Sequence, residues 1–183
     1  MSQYQIGLVV GSLRRESFNR KLANAVTKLA PGECSFRSLE IGDLPLYNQD
    51  DDDNPAEQVK RLKREISESA AILFVTPEYN RSMPGVLKNA LDHASRPYGE
   101  SAWEGKPAGV IGTSIGAIGT AVAQQHLRNS LAYLDMPAMG QPEVFIHAQE
   151  DTFDDNGGLA EDTREFMQGW MDKYVGWVKE HAK

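Results

Sequence analysis

The stretch Gly11-Ser12-Leu13-Arg14-Arg15-Glu16-Ser17-Phe18-Asn19 lies between an apolar run and a helical pattern. The run before it, Ile6-Gly7-Leu8-Val9-Val10, predicts a buried strand. After it, apolar residues recur at helical spacing from Leu22 to Leu29. A strand that passes through a short polar loop into a helix is the repeating unit of α/β folds. The stretch therefore indicates both the fold class and a first candidate site.

The polar loop has the features of an anion site. Gly11 permits a sharp turn, and a helix start offers free main-chain N–H groups and the positive end of the helix dipole. Arg14 and Arg15 add guanidinium donors, which suit phosphate oxygens. We therefore predict a phosphate site, with a simple capped helix and two solvated arginines as the alternative. The short polar side chains of the loop are Ser12, Ser17 and Asn19.

Two familiar phosphate motifs are missing from this loop. It lacks the G-x-x-x-x-G-K-[ST] string, which argues against a nucleoside triphosphatase, and it lacks the dinucleotide fingerprint G-x-G-x-x-G. The sequence therefore predicts a different phosphate ester as the ligand.

Length, charge and cysteine content narrow the class of protein. The chain has 183 residues, of which 40% are hydrophobic, and this predicts one domain over residues 1–183. No apolar run of 18 residues and no signal peptide is visible, so we expect a cytoplasmic protein without a membrane partner. A net charge of −7 argues against nucleic acid as a partner. Cys34 is the single cysteine and the histidines lack ligand spacing, so no metal site is predicted.

Strand and helix patterns alternate along the chain. They predict an α/β domain with a doubly wound, five-stranded parallel sheet in the flavodoxin-like order 2-1-3-4-5 and helices on both faces. Pro55 is expected in the first turn of the second helix, and Phe166 in the buried stripe of the last one. The predicted strands are Ile6–Val10, Cys34–Leu39, Ala70–Val75, Pro107–Thr113, and a fifth drawn from Met136–Met139 and Val144–Ile146.

This strand order brings three loops together. The loops after strands one and three, Gly11–Asn19 and the proline-stiffened Thr76–Pro84, flank one crevice at the carboxyl edge of the sheet. The glycine-rich loop after strand four, Thr113–Gly119, lies beside them. Because the predicted phosphate loop coincides with the usual ligand position of this fold, we favour a ligand site over a simple helix cap.

The same three strand ends carry a family likeness, which covers nearly the whole chain. The chain resembles the NADPH-dependent FMN reductase family of flavodoxin-like flavoproteins, especially its bacterial quinone and chromate reductase branch. The residues that carry the likeness are Gly11-Ser12-Leu13-Arg14, Ser17-Phe18-Asn19, Thr76-Pro77-Glu78-Tyr79-Asn80, Pro84-Gly85, Leu87-Lys88-Asn89-Ala90, Thr113-Ser114 and Gly116.

The resemblance implies FMN as a bound cofactor. It assigns the phosphate to Ser12, Arg14, Ser17, Asn19 and the main chain of Phe18, and it leaves Arg15 as a solvated arginine. It places the isoalloxazine ring along Pro77, Glu78, Tyr79 and Asn80, mostly through main-chain amides, with Thr113, Ser114 and Gly116 approaching from the neighbouring loop. No catalytic side chain is assigned, because the flavin carries the redox chemistry.

The resemblance also implies an activity and an assembly. NADPH or NADH would reduce FMN and leave, and a small oxidised acceptor such as a quinone, a free flavin, an azo compound or chromate would then take two electrons. Relatives form homodimers or homotetramers in which a second subunit completes the flavin edge, and Arg81, Arg128 and Tyr133 are candidate interface residues. Arg81 stands where many relatives have an aromatic or small residue. The resemblance therefore does not predict which residues line the acceptor side of the site.

Two other classes remain as alternatives. A serine hydrolase is suggested by Gly112-Thr113-Ser114-Ile115-Gly116, which matches G-x-S-x-G. Its base would be His147 or His181, with Asp135 or Asp151 as the partner. A flavodoxin-type electron carrier would share the fold and FMN but require a protein partner. A nucleotide-binding domain without redox activity is also open, because fold does not dictate function.

Overall fold

The computed structural model describes residues 3–149, 151–154 and 156–182. Strands and helices alternate along these residues, as the sequence predicts. A short 3-10 helix, Gln49–Asp51, lies in the connection after the second strand. The elements are β1 Tyr4–Val10, α1 Phe18–Thr27, β2 Cys34–Ser38, α2 Glu57–Ser67, β3 Ala71–Val75, α3 Gly85–Ala94, β4 Ala108–Ser114, α4 Ala121–Tyr133, β5 Phe145–His147 and α5 Glu161–His181.

The five strands form one parallel sheet in the order β2-β1-β3-β4-β5. The predicted flavodoxin-like order is therefore confirmed. β1 lies at the point where the winding reverses, with β2 on one side and β3 on the other. Because the connections from β1, β3 and β4 leave the sheet at its carboxyl edge, the crevice that such sheets use for ligands opens between β1 and β3.

The central strand β3 separates two apolar cores. Ala71, Leu73 and Val75 face a core shared with α1 and α5, whereas Ile72 and Phe74 face a core shared with α2, α3 and α4. All five residues have 0% exposure, as expected of a strand covered on both faces. The helices thus lie on both faces of the sheet, which confirms the doubly wound architecture.

Three local predictions differ from the structure. α2 begins at Glu57 rather than at Pro55, because Ala56 keeps an extended conformation and its carbonyl accepts the first helical hydrogen bonds. Only Phe145–His147 pairs as β5, and Ala138 makes a single bridge to Ala108. Phe166 is 47% exposed, because the buried stripe of α5 begins one residue later, at Met167.

The described residues contain no helix that is long and apolar enough to cross a membrane.

Candidate functional site

Three loops meet at the carboxyl edge of the sheet. The N–H of Gly11 donates to the carbonyl of Val75 (2.9 Å), and the N–H of Thr76 donates to the carbonyl of Ile111 (3.0 Å). These bonds extend the β1–β3 and β3–β4 ladders to the first residue of each loop. The predicted neighbourhood of the loops after β1, β3 and β4 is therefore present.

The loop after β1 ends in a capped helix start. Ser17 is extended, is 4% exposed and accepts a hydrogen bond from the N–H of Arg20 (3.4 Å), so it is the N-cap of α1. The first turn of α1 carries no acidic side chain. Within the described ranges, no acceptor is bound to the main-chain N–H of Phe18 or Asn19. The helix therefore presents two free donors and its positive dipole end at this edge.

Cationic side chains surround that helix start. The Arg14 guanidinium lies over the Phe18 ring (5.6 Å to the centroid), and the Lys21 ammonium lies 6.0 Å from the same centroid. Phe153 stacks on Phe18 with the two centroids 6.5 Å apart. Among the described residues, Arg14 makes no ion pair with a carboxylate. The loop is thus locally electropositive in an acidic chain, although Lys21 and Phe153 were not predicted to take part.

Asn19 connects this helix to β4. Its Nδ2 donates to the carbonyl of Thr113 (2.8 Å), and its Oδ1 accepts the N–H of Thr113 (3.0 Å). Asn19 is 3% exposed, so both of these hydrogen bonds are buried inside the protein. The structure gives the Asn19 side chain a role in positioning the loop, and its predicted contact with phosphate stays a prediction. The partner lies 94 residues away, and no local pattern could have revealed it.

The hydroxyl of Thr113 is a buried polar group without a partner. Thr113 is 1% exposed, and its Oγ1 makes no hydrogen bond in the described part of the chain. Buried hydroxyls are nearly always satisfied in folded proteins, by the protein, by water or by a ligand. The Thr113 hydroxyl, in a residue whose main chain binds Asn19 of α1, is therefore a donor available to a polar ligand at this edge.

The loop after β3 carries a tight turn. Tyr79 and Ser82 exchange two main-chain hydrogen bonds of 3.0 Å each. Between them, Asn80 has φ 51° and Arg81 has φ 64°. Positive φ at both central residues defines a type I′ turn, which is common for Asn but costly for Arg.

Glu78 fastens this loop to α4. Its Oε2 accepts the N–H groups of Val122 and Ala123, both at 3.0 Å, and its side chain is 8% exposed. Thr120 makes no side-chain cap, so Glu78 caps α4 from another loop. One oxygen of the Glu78 carboxylate is therefore engaged with α4, and the expected amide contacts of its main chain stay a prediction. The side-chain role was missed because donor and acceptor lie 44 residues apart.

Hydrogen bonds of the Ser114 hydroxyl hold the loop after β4 together. The Ser114 hydroxyl donates to the carbonyl of Gly119 and accepts the N–H of Gly116 (3.2 Å). Ile115 and Ile118 project to the surface, with 74% and 42% exposure. With the half-exposed Leu13 and Tyr79, they give the edge of the crevice an apolar rim.

This arrangement does not support a serine hydrolase. The hydroxyl hydrogen of Ser114 is directed at Gly119, and His147 Nε2 lies 3.1 Å from the carbonyl of Ile115. His181 Nδ1 lies 3.0 Å from the carbonyl of Trp177. No histidine is hydrogen-bonded to Ser114 among the residues that the structure describes, so the general base of a triad is not in place.

Comparison with known proteins gives the family. A model of the NADPH-dependent FMN reductase family matches residues 4–151. The chain belongs to this family. It is accordingly an oxidoreductase that works with FMN and NAD(P)H.

The relatives extend over almost the full chain. A 2-hydroxy-1,4-benzoquinone reductase from Burkholderia sp is 56% identical, and the match covers 96% of this chain and 97% of the relative. A quinone reductase from Pseudomonas putida is 54% identical, with coverage of 98% and 97%. Among solved structures, the flavoenzyme FerB, an NAD(P)H:(acceptor) oxidoreductase from Paracoccus denitrificans, superposes with a TM-score of 0.94 at 45% identity and covers 98% of this chain and 100% of that chain.

The residues of the crevice fit FMN. A phosphate dianion requires N–H donors and local positive charge, and the start of α1 supplies both. The unpartnered Thr113 hydroxyl supplies a further buried donor beside it. The apolar rim beside the exposed residues Tyr79 and Asn80 suits a flat ring.

Proposed function

We propose that this chain is an NAD(P)H-dependent quinone reductase that works as one domain over residues 1–183. The observation that carries the proposal is the pair of free N–H groups at the start of α1, next to Arg14 and the unpartnered Thr113 hydroxyl. This is a phosphate site without a triphosphatase or dinucleotide motif. The quinone reductases that match almost the whole chain support the reaction.

The proposed FMN phosphate site is the start of α1. Ser12 and Arg14 contact the phosphate from the loop, and the main-chain N–H groups of Phe18 and Asn19 bind it at the positive end of the helix dipole. Ser17 caps the helix beside it. The Asn19 side chain acts indirectly, because its two bonds to Thr113 keep α1 in register with β4.

The proposed ring site lies between the loops after β3 and β4. Bound FMN would accept two electrons and a proton from NAD(P)H and pass them to the acceptor. The main chain from Pro77 to Asn80 lies along the ring, while Ser114 and Gly116 approach it from the other loop. Glu78 holds the first of these loops on α4, so that its amides point at a fixed place. Ile115 and Ile118 shield the reacting edge from water.

The proposed acceptor is a quinone, which takes up two electrons and two protons to become a hydroquinone. The relatives' names support this choice, and one of them specifies a hydroxyquinone. Free flavin, azo compounds and chromate remain further acceptors to be tested. No side chain is assigned as a catalytic acid or base, since the protons can come from solvent.

An absorption experiment tests the proposal. We expect the protein, incubated with excess FMN and desalted, to stay yellow and to bleach when NADPH is added without oxygen. Re-oxidation by 1,4-benzoquinone, with parallel lines in steady-state kinetics, would establish the two half-reactions. A colourless protein would contradict the flavin site. If NADPH reduces the bound FMN only when a second protein is present, the chain is instead an electron carrier.

Removal of Arg14 is expected to weaken FMN binding. Arg14→Ala should raise the Kd of FMN roughly tenfold, equivalent to about 1.5 kcal/mol, because a hydrogen bond to a charged phosphate is lost at an exposed position. Fluorescence quenching of FMN measures this Kd. Arg15→Ala is the matched control, since Arg15 is also exposed and is not assigned to the phosphate. Equal Kd values for the two variants would remove Arg14 from the site.

The proposal includes a homodimer or homotetramer with the flavin near the interface. Tyr133 supports it, since this aromatic side chain is 79% exposed on α4. Arg128 is less available than expected, because its guanidinium donates to the carbonyl of Met139 (2.7 Å). Gel filtration tests the assembly, and elution as the 20.3 kDa chain alone would exclude it. The cytoplasmic location stays a prediction that cell fractionation would check.

A further inference from the structure

Arg81 occupies the tip of the turn between Tyr79 and Ser82, beside the proposed ring site. We propose that Arg81 is a specificity residue that binds the negative charge of an ionised acceptor, a hydroxyquinone anion, at the flavin edge. The inference rests on the quinone reductase proposed above. It adds the charge class of the acceptor and the residue that recognises it.

The backbone at this position is unfavourable for arginine. Arg81 has φ 64°, a region where residues with a Cβ atom are uncommon outside Asn and Asp. Two main-chain bonds between Tyr79 and Ser82 hold the turn, and Ser82 Oγ lies 2.9 Å from His126 Nδ1 on α4. The turn therefore fixes the main chain of Arg81 beside the proposed ring site, at a conformational cost. Such strained residues cluster at functional sites.

Among the described residues, Arg81 forms one ion pair, which is long and leaves most of the guanidinium exposed. Its nearest carboxylate is Glu78, with Nη1 and Oε1 3.7 Å apart. The Glu78 carboxylate already accepts two N–H groups at the positive end of α4, which stabilises its negative charge there. The Arg81 side chain is 71% exposed, so its donors remain available to a ligand.

The chemistry of hydroxyquinones matches this cation. A 2-hydroxy-1,4-benzoquinone is a vinylogous carboxylic acid, and at neutral pH its negative charge is shared by the 2-oxygen and the conjugated 4-carbonyl oxygen. A guanidinium forms charge-assisted hydrogen bonds with such oxygens. The chain has a net charge of −7, which on average disfavours an anionic acceptor, so a cation at the flavin edge offsets this repulsion where the acceptor binds.

A phosphate of NADPH is the other anion that could meet Arg81. The two-step reaction separates the two cases, because kcat/KM for the acceptor and kcat/KM for the nicotinamide nucleotide are determined in different half-reactions. An effect confined to the anionic acceptor supports the inference, and an effect confined to NADPH contradicts it.

The experiment compares two quinones and three variants. The quinones are 2-hydroxy-1,4-benzoquinone, which is ionised, and 2-methoxy-1,4-benzoquinone, which is neutral and of similar size. In Arg81→Gln we expect kcat/KM for the hydroxyquinone to fall about tenfold, from the loss of a partly exposed charge contact, with kcat/KM for the methoxyquinone and for NADPH within about twofold. Arg81→Lys should restore part of the loss, and Arg64→Gln, the same charge change at an exposed arginine of α2, should have no effect.

The outcomes also separate this inference from the proposed function. Reduction of the methoxyquinone by the wild-type enzyme establishes quinone reductase activity irrespective of Arg81. If Arg81→Gln then lowers kcat/KM for both quinones equally, or for neither, Arg81 does not recognise charge and the inference fails. If the wild-type enzyme reduces neither quinone, the proposed function fails as well.

Discussion

Asn19→Ala is expected to lower the free energy of unfolding by about 3 kcal/mol and to abolish tight FMN binding. The change removes two buried hydrogen bonds and leaves the N–H and the carbonyl of Thr113 without partners, and each unsatisfied buried group costs about 1–3 kcal/mol. Because α1 also loses its register against β4, the phosphate loop moves away from the Thr113 hydroxyl. Urea unfolding measures the first effect, and FMN titration measures the second.

Asn24→Ala provides the control for this experiment. Asn24 lies on the same helix, is exposed, and undergoes the same chemical change. We expect its free energy of unfolding to stay within about 0.5 kcal/mol of the wild-type value. Similar stabilities for Asn19→Ala and Asn24→Ala would show that the amide pair does not hold α1 against the sheet.

Gly112→Ala is expected to destabilise the protein by about 3 kcal/mol or more. A Cβ atom at residue 112 would lie 2.2 Å from Thr120 Oγ1 and 2.3 Å from the carbonyl oxygen of Thr76. The second contact is with main chain, so the strain cannot be relieved by rotating a side chain, and β4 would have to move away from the loop after β3. We expect a lower midpoint in thermal unfolding and, since two of the three site loops separate, weaker FMN binding.

Gly169→Ala is the matched control for Gly112→Ala. Gly169 lies in α5, and a Cβ atom there has no neighbour within 4 Å. Alanine favours the helix over glycine by about 1 kcal/mol, so stability should be unchanged or slightly higher. A Gly112→Ala variant as stable as Gly169→Ala would mean that β4 and the Thr76 loop are not in close contact.

The site illustrates which features can be read from a local pattern. Ser17 was recognisable as a helix cap, because a cap requires only a small polar residue directly before a helical pattern. The arginines of the same loop were likewise recognisable as candidate phosphate donors from their residue type and position alone. Lys21 was missed, although it lies three residues after Phe18 on the same helix, a spacing that makes side chains neighbours.

The roles of Glu78 and Phe166 show the limits of such patterns. The resemblance assigned Glu78 to the ring mostly through its main chain, and it did not indicate that the Glu78 carboxylate caps α4, whose own Thr120 makes no side-chain cap. Phe166 was placed in the core from helical spacing alone. The actual stripe of α5 follows the sheet through Met167, Trp170 and Met171, which differs from the predicted one by a small rotation of the helix.

The sequence by itself determined the alternation of strands and helices, the parallel sheet and the three loops at its carboxyl edge. These features follow from hydrophobic periodicity and turn residues, which are encoded in contiguous stretches of chain. Only the tertiary structure decided that Asn19 binds Thr113, that Glu78 caps α4 and that the Thr113 hydroxyl is left without a partner. The first two depend on groups 94 and 44 residues apart, whose distance is set by the packing of whole elements against the sheet.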